Sequence, residues 1–202
     1  MYMDIQKINQ LDLTRGLVFC YLVCKRLFPN YVYFSDHYGT GDPSKLEDSM
    51  QFIYREMLQD EFDEEKLDYL DRQVKLQVPN LRIHTHIYAE LAYLAATAVR
   101  YTLGMIRERD KGYTVNAMVL AFDSISAFVN HRDHKKWDLY SIEEEELTVK
   151  ESTLQDGIVD YLLLRDDIDL DDVDLLLQMQ SYNRNGVLDS QLDLVPLEGG
   201  AL

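Results

Sequence analysis

IYAELAYLAATAVRYTLGMI, residues 87–106, is the most apolar run of the chain and the hardest to place anywhere but at a protein's centre. Ile87, Leu91, Leu94, Ala98, Tyr101 and Met105 recur at spacings of three and four, which is one stripe of a helix. Ala89, Ala92, Ala95 and Ala96 extend that stripe around most of the circumference. The pattern predicts a central helix over 86–106 that neighbours must cover. A second copy of the chain would cover it as readily as the chain itself, so a homo-oligomer is one expected outcome.

The segments on either side supply the neighbours. After Lys111-Gly112, Val115, Met118, Phe122, Ile125 and Val129 mark a helix widened by Ala117, Ala121 and Ala127. Upstream, Leu17, Cys20, Cys24 and Phe28 form the stripe of a helix that starts near Leu13 and is expected to stop at Pro29. Asp42-Pro43 reads as an N-cap followed by a proline in the first helical position, opening a helix on Leu46, Met50, Ile53 and Met57. Leu67, Leu70, Val74 and Val78 give another before Pro79. Ser141-x-x-Glu144 has the form of a capping box for a long helix through Leu147, Leu154, Ile158 and Tyr161. Asp169 to Asp172 open a short last helix with Val173, Leu176 and Leu177 inward, and residues 181–202 read as turn and tail. No run alternates as a strand would. The expected fold is all-α, a single-domain bundle of about seven helices over residues 1–202 with a short C-terminal tail.

Composition narrows the function. A chain of 202 residues can bury roughly 70% of its unfolded surface, and no stretch reaches the roughly 18 apolar residues of a membrane span. With 36 acidic against 20 basic residues and a net charge of −16, most of the surface repels a phosphate backbone, so no direct nucleic-acid binding is expected. Residues 141–202 hold 16 acids and three Lys/Arg, a net of −13, against 20 and 17 in residues 1–140. Met1 to Gln10 lack a basic then apolar leader, and two cysteines make no disulfide framework. The expected location is the cytoplasm.

The run CKRLFPNY from Cys24 to Tyr31, then Phe34, then YGTGD from Tyr38 to Asp42, resembles the signature of the YjaG-like family of bacterial proteins, domain of unknown function 416. The similarity is specific over about residues 13–57 and continues in pattern to Trp137-Asp138. In Phe52 to Glu56, Tyr54 stands where the family has a tryptophan and Arg55 is interposed before Glu56. The resemblance implies an all-helical cytoplasmic protein of similar length and brings no activity, and the acidic last third inherits nothing from it.

Two stretches carry candidate chemistry. Pro29 to Asp42 reads as an aromatic loop, with Tyr31, Tyr33, Phe34, His37 and Tyr38 beside Gly39 and Gly41. It is either a contact surface or a plug at the bundle end, and its candidate contact residues are Asn30, Tyr31, His37, Gly39, Gly41 and Asp42. Glu90 lies close to the apolar stripe of the central helix. Buried there, it would need compensation from Arg100, His84 or His86 and could serve as an acid or base, while at a helix start it would simply face water. Gly39-x-Gly41 follows no strand and is not a phosphate cradle. His84-x-His86 and His131-x-x-His134 are not joined by any Glu-x-x-His, His-Glu-x-x-His or Cys-x-x-Cys, so neither metal nor cofactor is expected. Cys20 and Cys24 read as core thiols, and no catalytic residue is assigned. Asp167-x-Asp169-x-Asp171 fails as a calcium loop because Asp172 stands where glycine is needed, and the stretch from Ser181 fails at Leu192. Two readings follow. One is a non-enzymatic interaction module whose acidic last third docks a basic protein partner. The other is a small-ligand binder or enzyme built on residues 29–42 near Glu90.

Overall fold

Gly16 to Cys24 are buried without exception, so this part of the chain has no solvent face at all. The structure, a computed structural model, describes residues 5–59 and 61–182. Among these residues there are nine α-helices and no strand: α1 (Ile5–Ile8), α2 (Leu13–Tyr38), α3 (Pro43–Glu56), α4 (Glu64–Gln77), α5 (Ile87–Glu108), α6 (Tyr113–Arg132), α7 (Leu139–Glu143), α8 (Glu146–Leu164) and α9 (Leu170–Tyr182). The all-α expectation holds. The two helices beyond the expected seven are α1 and α7, of four and five residues, too short for apolar spacing to reveal them. Residues 181 and 182, expected to begin a turn and tail, are instead the last residues of α9; the rest of that stretch, from 183, lies outside the described residues, as do Met1 to Asp4.

The centre is the pair α2 and α5, with α6 packed on both. α3 and α4 pack on each other and on α5, α3 packs on α2 as well, α8 packs on α6 and α2, and α9 packs on α2. α5 is central, as its sequence predicts, and its alanine faces are covered within the chain: Ala89, Ala92, Ala95, Ala96 and Ala98 are buried, leaving Glu90, Tyr93 and Tyr101 among its exposed positions. Among the described residues no helix is long and apolar enough to cross a membrane.

Pro29 does not stop α2. The helix runs nine residues past it, because the apolar stripe continues through Leu27, Tyr31 and Phe34, all buried. A mid-helix proline costs about 3 kcal/mol, and burying two aromatic side chains returns about 1.5–3 kcal/mol each. The helix ends instead at Gly39, in the left-handed region at φ 61°, whose N–H donates to Ser35 O at 2.9 Å. Residues 30–38 are therefore helix, and only 39–42 form a turn. α3 starts as expected, with Asp42 Oδ1 accepting from Ser44 N at 3.0 Å and Pro43 in the first position.

Ser141 is not the cap of the long helix. Asp138 accepts both the Ser141 N–H and its hydroxyl, at 2.9 and 2.8 Å, and caps α7. The long helix α8 is capped by Glu145, whose Oε2 accepts from Leu147 N and Thr148 N at 2.7 and 3.2 Å. Arg132 holds the other oxygen of Glu145 at 3.1 Å, which fixes the break between α7 and α8. At the far end of α8, Arg15 of α2 donates to Leu162 O and Asp166 O at 2.9 and 2.8 Å and satisfies carbonyls that the helix leaves open.

Candidate functional site

The first candidate region is the bundle end formed by the C-terminal turns of α2 and the residues before α5. Tyr31 is completely buried, donates its hydroxyl to Gln77 O at 2.8 Å and lies against Gly41, while Gln77 Oε1 accepts from Asp42 N at 2.9 Å. Burial pushes the Tyr31 phenol up to about 12. The structure thus brings Tyr31, Gly41 and Asp42 together through Gln77. His37 sits at the rim, stacked on Tyr33 at 3.8 Å with Nδ1 donating to Tyr33 O, and Gly39 ends the helix beside it. Asn30 belongs elsewhere: it is buried, with Nδ2 donating to Ser124 of α6 at 3.5 Å. Tyr38 stacks on His86 at 4.0 Å, and Tyr33 lies 4.8 Å from Tyr88. His86 caps α5 by accepting from Ala89 N at 3.3 Å, and its buried Nε2 has no partner among the described residues. Burial, then the neighbouring His84, lowers the His86 pKa, which favours the neutral imidazole. Ring packed on ring is the plug of the bundle end.

Glu90 stands outside that ring cluster. It is exposed in the first turn of α5, where a carboxylate suits the helix dipole. α5 and α6 are joined by four residues and so run antiparallel, which places the start of α5 against the end of α6. An open groove of about 530 Å³ lies there, lined by Glu90, His131, His134, Lys135 and Lys136 over a floor of Ile87 and Ala127. The floor belongs to a small apolar cluster of its own, Leu91, Ile125, Phe128, Val129 and Leu147. Asn130 builds the wall, accepting from Trp137 N at 2.7 Å on its side chain and from Lys135 N at 3.2 Å on its carbonyl. His134 is forced to φ 51°, a backbone state that costs a side-chain-bearing residue about 1 kcal/mol. His134→Gly is expected to raise stability by about 1 kcal/mol, or roughly 2–4 °C in Tm by calorimetry; an unchanged or lowered Tm would show that the imidazole repays the strain.

A third constellation escaped the sequence reading. Arg26 Nη2 meets Glu151 Oε1 at 2.8 Å with the two side chains 6% and 2% exposed. Arg26 Nη1 donates to Gln180 Oε1 at 3.0 Å, and Gln155 Nε2 donates to Glu151 Oε1 at 2.5 Å. The pair locks α8 and α9 onto α2. Thr148, Glu151 and Gln155 share the three-and-four spacing of Ile158 and Leu162, which was the one available sign that these polar groups face inward.

The acidic layer occupies α8, α9 and their connection. Asp160 pairs with Lys7 at 2.6 Å and Glu146 with Lys150 at 2.6 Å, and Tyr54 donates to Asp174 at 3.0 Å. Asp169 and Asp172 accept each other's backbone N–H and cap α9, with Arg165 3.4 Å from Asp172. Asp166, Asp167 and Asp171 are exposed and have no cation partner among the described residues. Cys20 and Cys24 are free and buried, and burial pushes the Cys24 thiol up to about 12. Among the described residues no group of three or more His, Cys, Asp or Glu is placed to hold a metal.

Comparison with known proteins identifies the fold and the family. No curated protein matches the chain. Among solved structures, the chain is similar to a DUF416 family protein from Shewanella baltica OS155, at 18% identity and a TM-score of 0.79, over 88% of this chain and 93% of that one. At that identity the likeness concerns the fold. The model of the family described as "Protein of unknown function (DUF416)" matches residues 4–186, a span that includes the whole CKRLFPNY to FIYRE stretch. The chain belongs to the DUF416 family, whose description assigns it no function.

Proposed function

We propose that the protein is a cytoplasmic, non-enzymatic interaction module that docks a basic amphipathic segment of a protein partner on the α8–α9 face. The observation that carries this reading is the mixture of charge and apolar surface on that face. Asp171, Leu175 and Met179 follow one another at four-residue spacing on α9, opposite the buried Val173 and Leu176, and all three are exposed. Leu164, 84% exposed, and Leu170 add exposed apolar surface on either side of Asp166, Asp167 and Asp169 in the connection from α8 to α9. Apolar rows rimmed by one sign of charge suit a helix of opposite charge laid along them, and methionine adapts to such partners. The test is fluorescence anisotropy with a labelled helical Lys/Leu peptide and its Glu/Leu counterpart. The full chain is expected to bind the Lys/Leu peptide at least about tenfold more tightly, and Leu175→Ser is expected to weaken it several-fold. Equal binding of both peptides would end this reading.

The alternative is a small-ligand site at the turn 39–42. The unpartnered Nε2 of His86 favours it; against it, Tyr38 stacks face to face on His86 and His37 on Tyr33, and Glu90 lines the groove between α5 and α6 instead.

A further inference from the structure

The groove between the start of α5 and the end of α6 concentrates positive charge in a chain of net charge −16. The charges around it fall into two groups. Asp133 is bound by Arg132 on both oxygens, at 2.7 and 3.1 Å, and accepts from Trp137 Nε1 at 2.9 Å; the Arg132 guanidinium holds its carboxyl below the ordinary value. Glu145 is buried, with Arg132 on one oxygen and the first N–H groups of α8 on the other. Arg132 is the shared cation of these two acids, and the first N–H groups of α8 add to it at Glu145. Lys135 also draws the Asp133 carboxyl down while its ammonium rests 3.5 Å from the centre of the Trp137 ring, which leaves Lys136, exposed and with no acid paired to it among the described residues, as the available cation. The rings of His131 and His134 stand 6.2 Å apart, tilted and exposed at the same groove. The positive end of the 22-residue α5 dipole points to the same place through Thr85 and Ile87. Among the described residues Glu90 is the one acid in the lining, and with two imidazoles it does not form a group placed for a metal.

We propose that this groove binds a small phosphate-bearing ligand, either free phosphate or a phosphomonoester, held by Lys136 with His131 and His134. Its volume, about 530 Å³, is in the range of small-molecule sites, roughly 300–1,000 Å³. Lys136 supplies a point charge, the two imidazoles supply donors spaced to meet different oxygens, and Ile87 and Ala127 give an apolar floor for the organic part of an ester. Glu90 weakens the site by repulsion and sets it toward singly phosphorylated ligands. This inference is independent of the α8–α9 docking face.

The experiment is isothermal titration of the full chain with inorganic phosphate and with glycerol 3-phosphate, each against sodium chloride at matched ionic strength, together with the imidazole and amide NMR shifts. Saturable binding is expected, with shifts at His131, His134 and Asn130. Lys136→Ala, an exposed substitution that leaves the fold intact, is expected to weaken binding about fivefold, and Glu90→Gln to strengthen it about threefold. Equal affinity for the two probes assigns recognition to the oxyanion, and tighter binding of the ester assigns part of it to the floor; either result supports the site. Heat no greater than the chloride control, binding unchanged by Lys136→Ala, or shifts confined to other surfaces would overturn it.

Discussion

Glu151→Ala is expected to destabilise the protein by about 3–5 kcal/mol, the largest loss of any single truncation at a polar side chain. The cost does not come from the strength of the ion pair. Two charges taken out of water repay their desolvation poorly, and a buried pair is close to neutral against a well-packed apolar one. What the truncation leaves behind is the Arg26 guanidinium, 6% exposed, with its remaining partner Gln180 unable to balance a charge, and a Gln155 amide with no acceptor. Urea denaturation should show the midpoint falling by on the order of 1–2 M. Arg26→Met combined with Glu151→Leu should recover most of the loss, because it removes the charge along with its partner. A cost below about 1 kcal/mol for Glu151→Ala would show that water reaches the pair.

Gly41→Ala is expected to cost about 3–5 kcal/mol, and Gly39→Ala only about 1 kcal/mol, although the two glycines stand two residues apart in one turn. Both sit in the left-handed region, at φ 84° and 61°, so both substitutions carry the conformational cost of a side chain there. They differ in what the new Cβ meets. At Gly39 nothing lies within 4 Å, whereas at Gly41 the Tyr31 hydroxyl and ring would be in hard overlap with it. Tyr31 cannot step aside, because its ring is wholly buried and its hydroxyl is tied to Gln77 O. Moving it orphans a buried hydroxyl and a carbonyl, at about 1–3 kcal/mol, on top of the lost packing. Thermal or urea unfolding of the two variants side by side settles the comparison, and equal losses would mean that the turn relaxes freely.

The parts of this molecule that were legible in the sequence are those decided within one or two helical turns. Asp42-Pro43 starts α3 because a cap and a first-turn proline act locally, and the alanine-rich 86–106 segment is central because no helix apolar all round can face water. Pro29 misled for the opposite reason: its penalty is local, whereas the burial of Tyr31 and Phe34 that outweighs it is tertiary. Ser141 and Glu144 match a capping box, but Asp138 takes the serine and Arg132 draws Glu145 into the cap one residue later. Arg26 and Glu151 are 125 residues apart, and no spacing rule connects them. The meeting of Glu90 with His131 and His134 was within reach, since two long helices with a four-residue connection must run antiparallel and bring the start of one to the end of the other. Of the seven candidate contact residues, Tyr31, Gly41 and Asp42 share one hydrogen-bonded turn, His37 and Gly39 border it, and Asn30 and Glu90 serve different parts of the bundle.

The central claim is that the α8–α9 face docks a basic partner through its unpaired acids and apolar row. The most direct test is the affinity for the Lys/Leu peptide at 50 and 200 mM NaCl, measured for the native chain and for Asp167→Lys with Asp171→Lys, both exposed positions. The account predicts that added salt weakens binding to the native chain by about tenfold, and that the charge-reversed chain binds at least about tenfold more weakly at the lower salt. Affinity that is indifferent to salt and unchanged by the two lysines would contradict it.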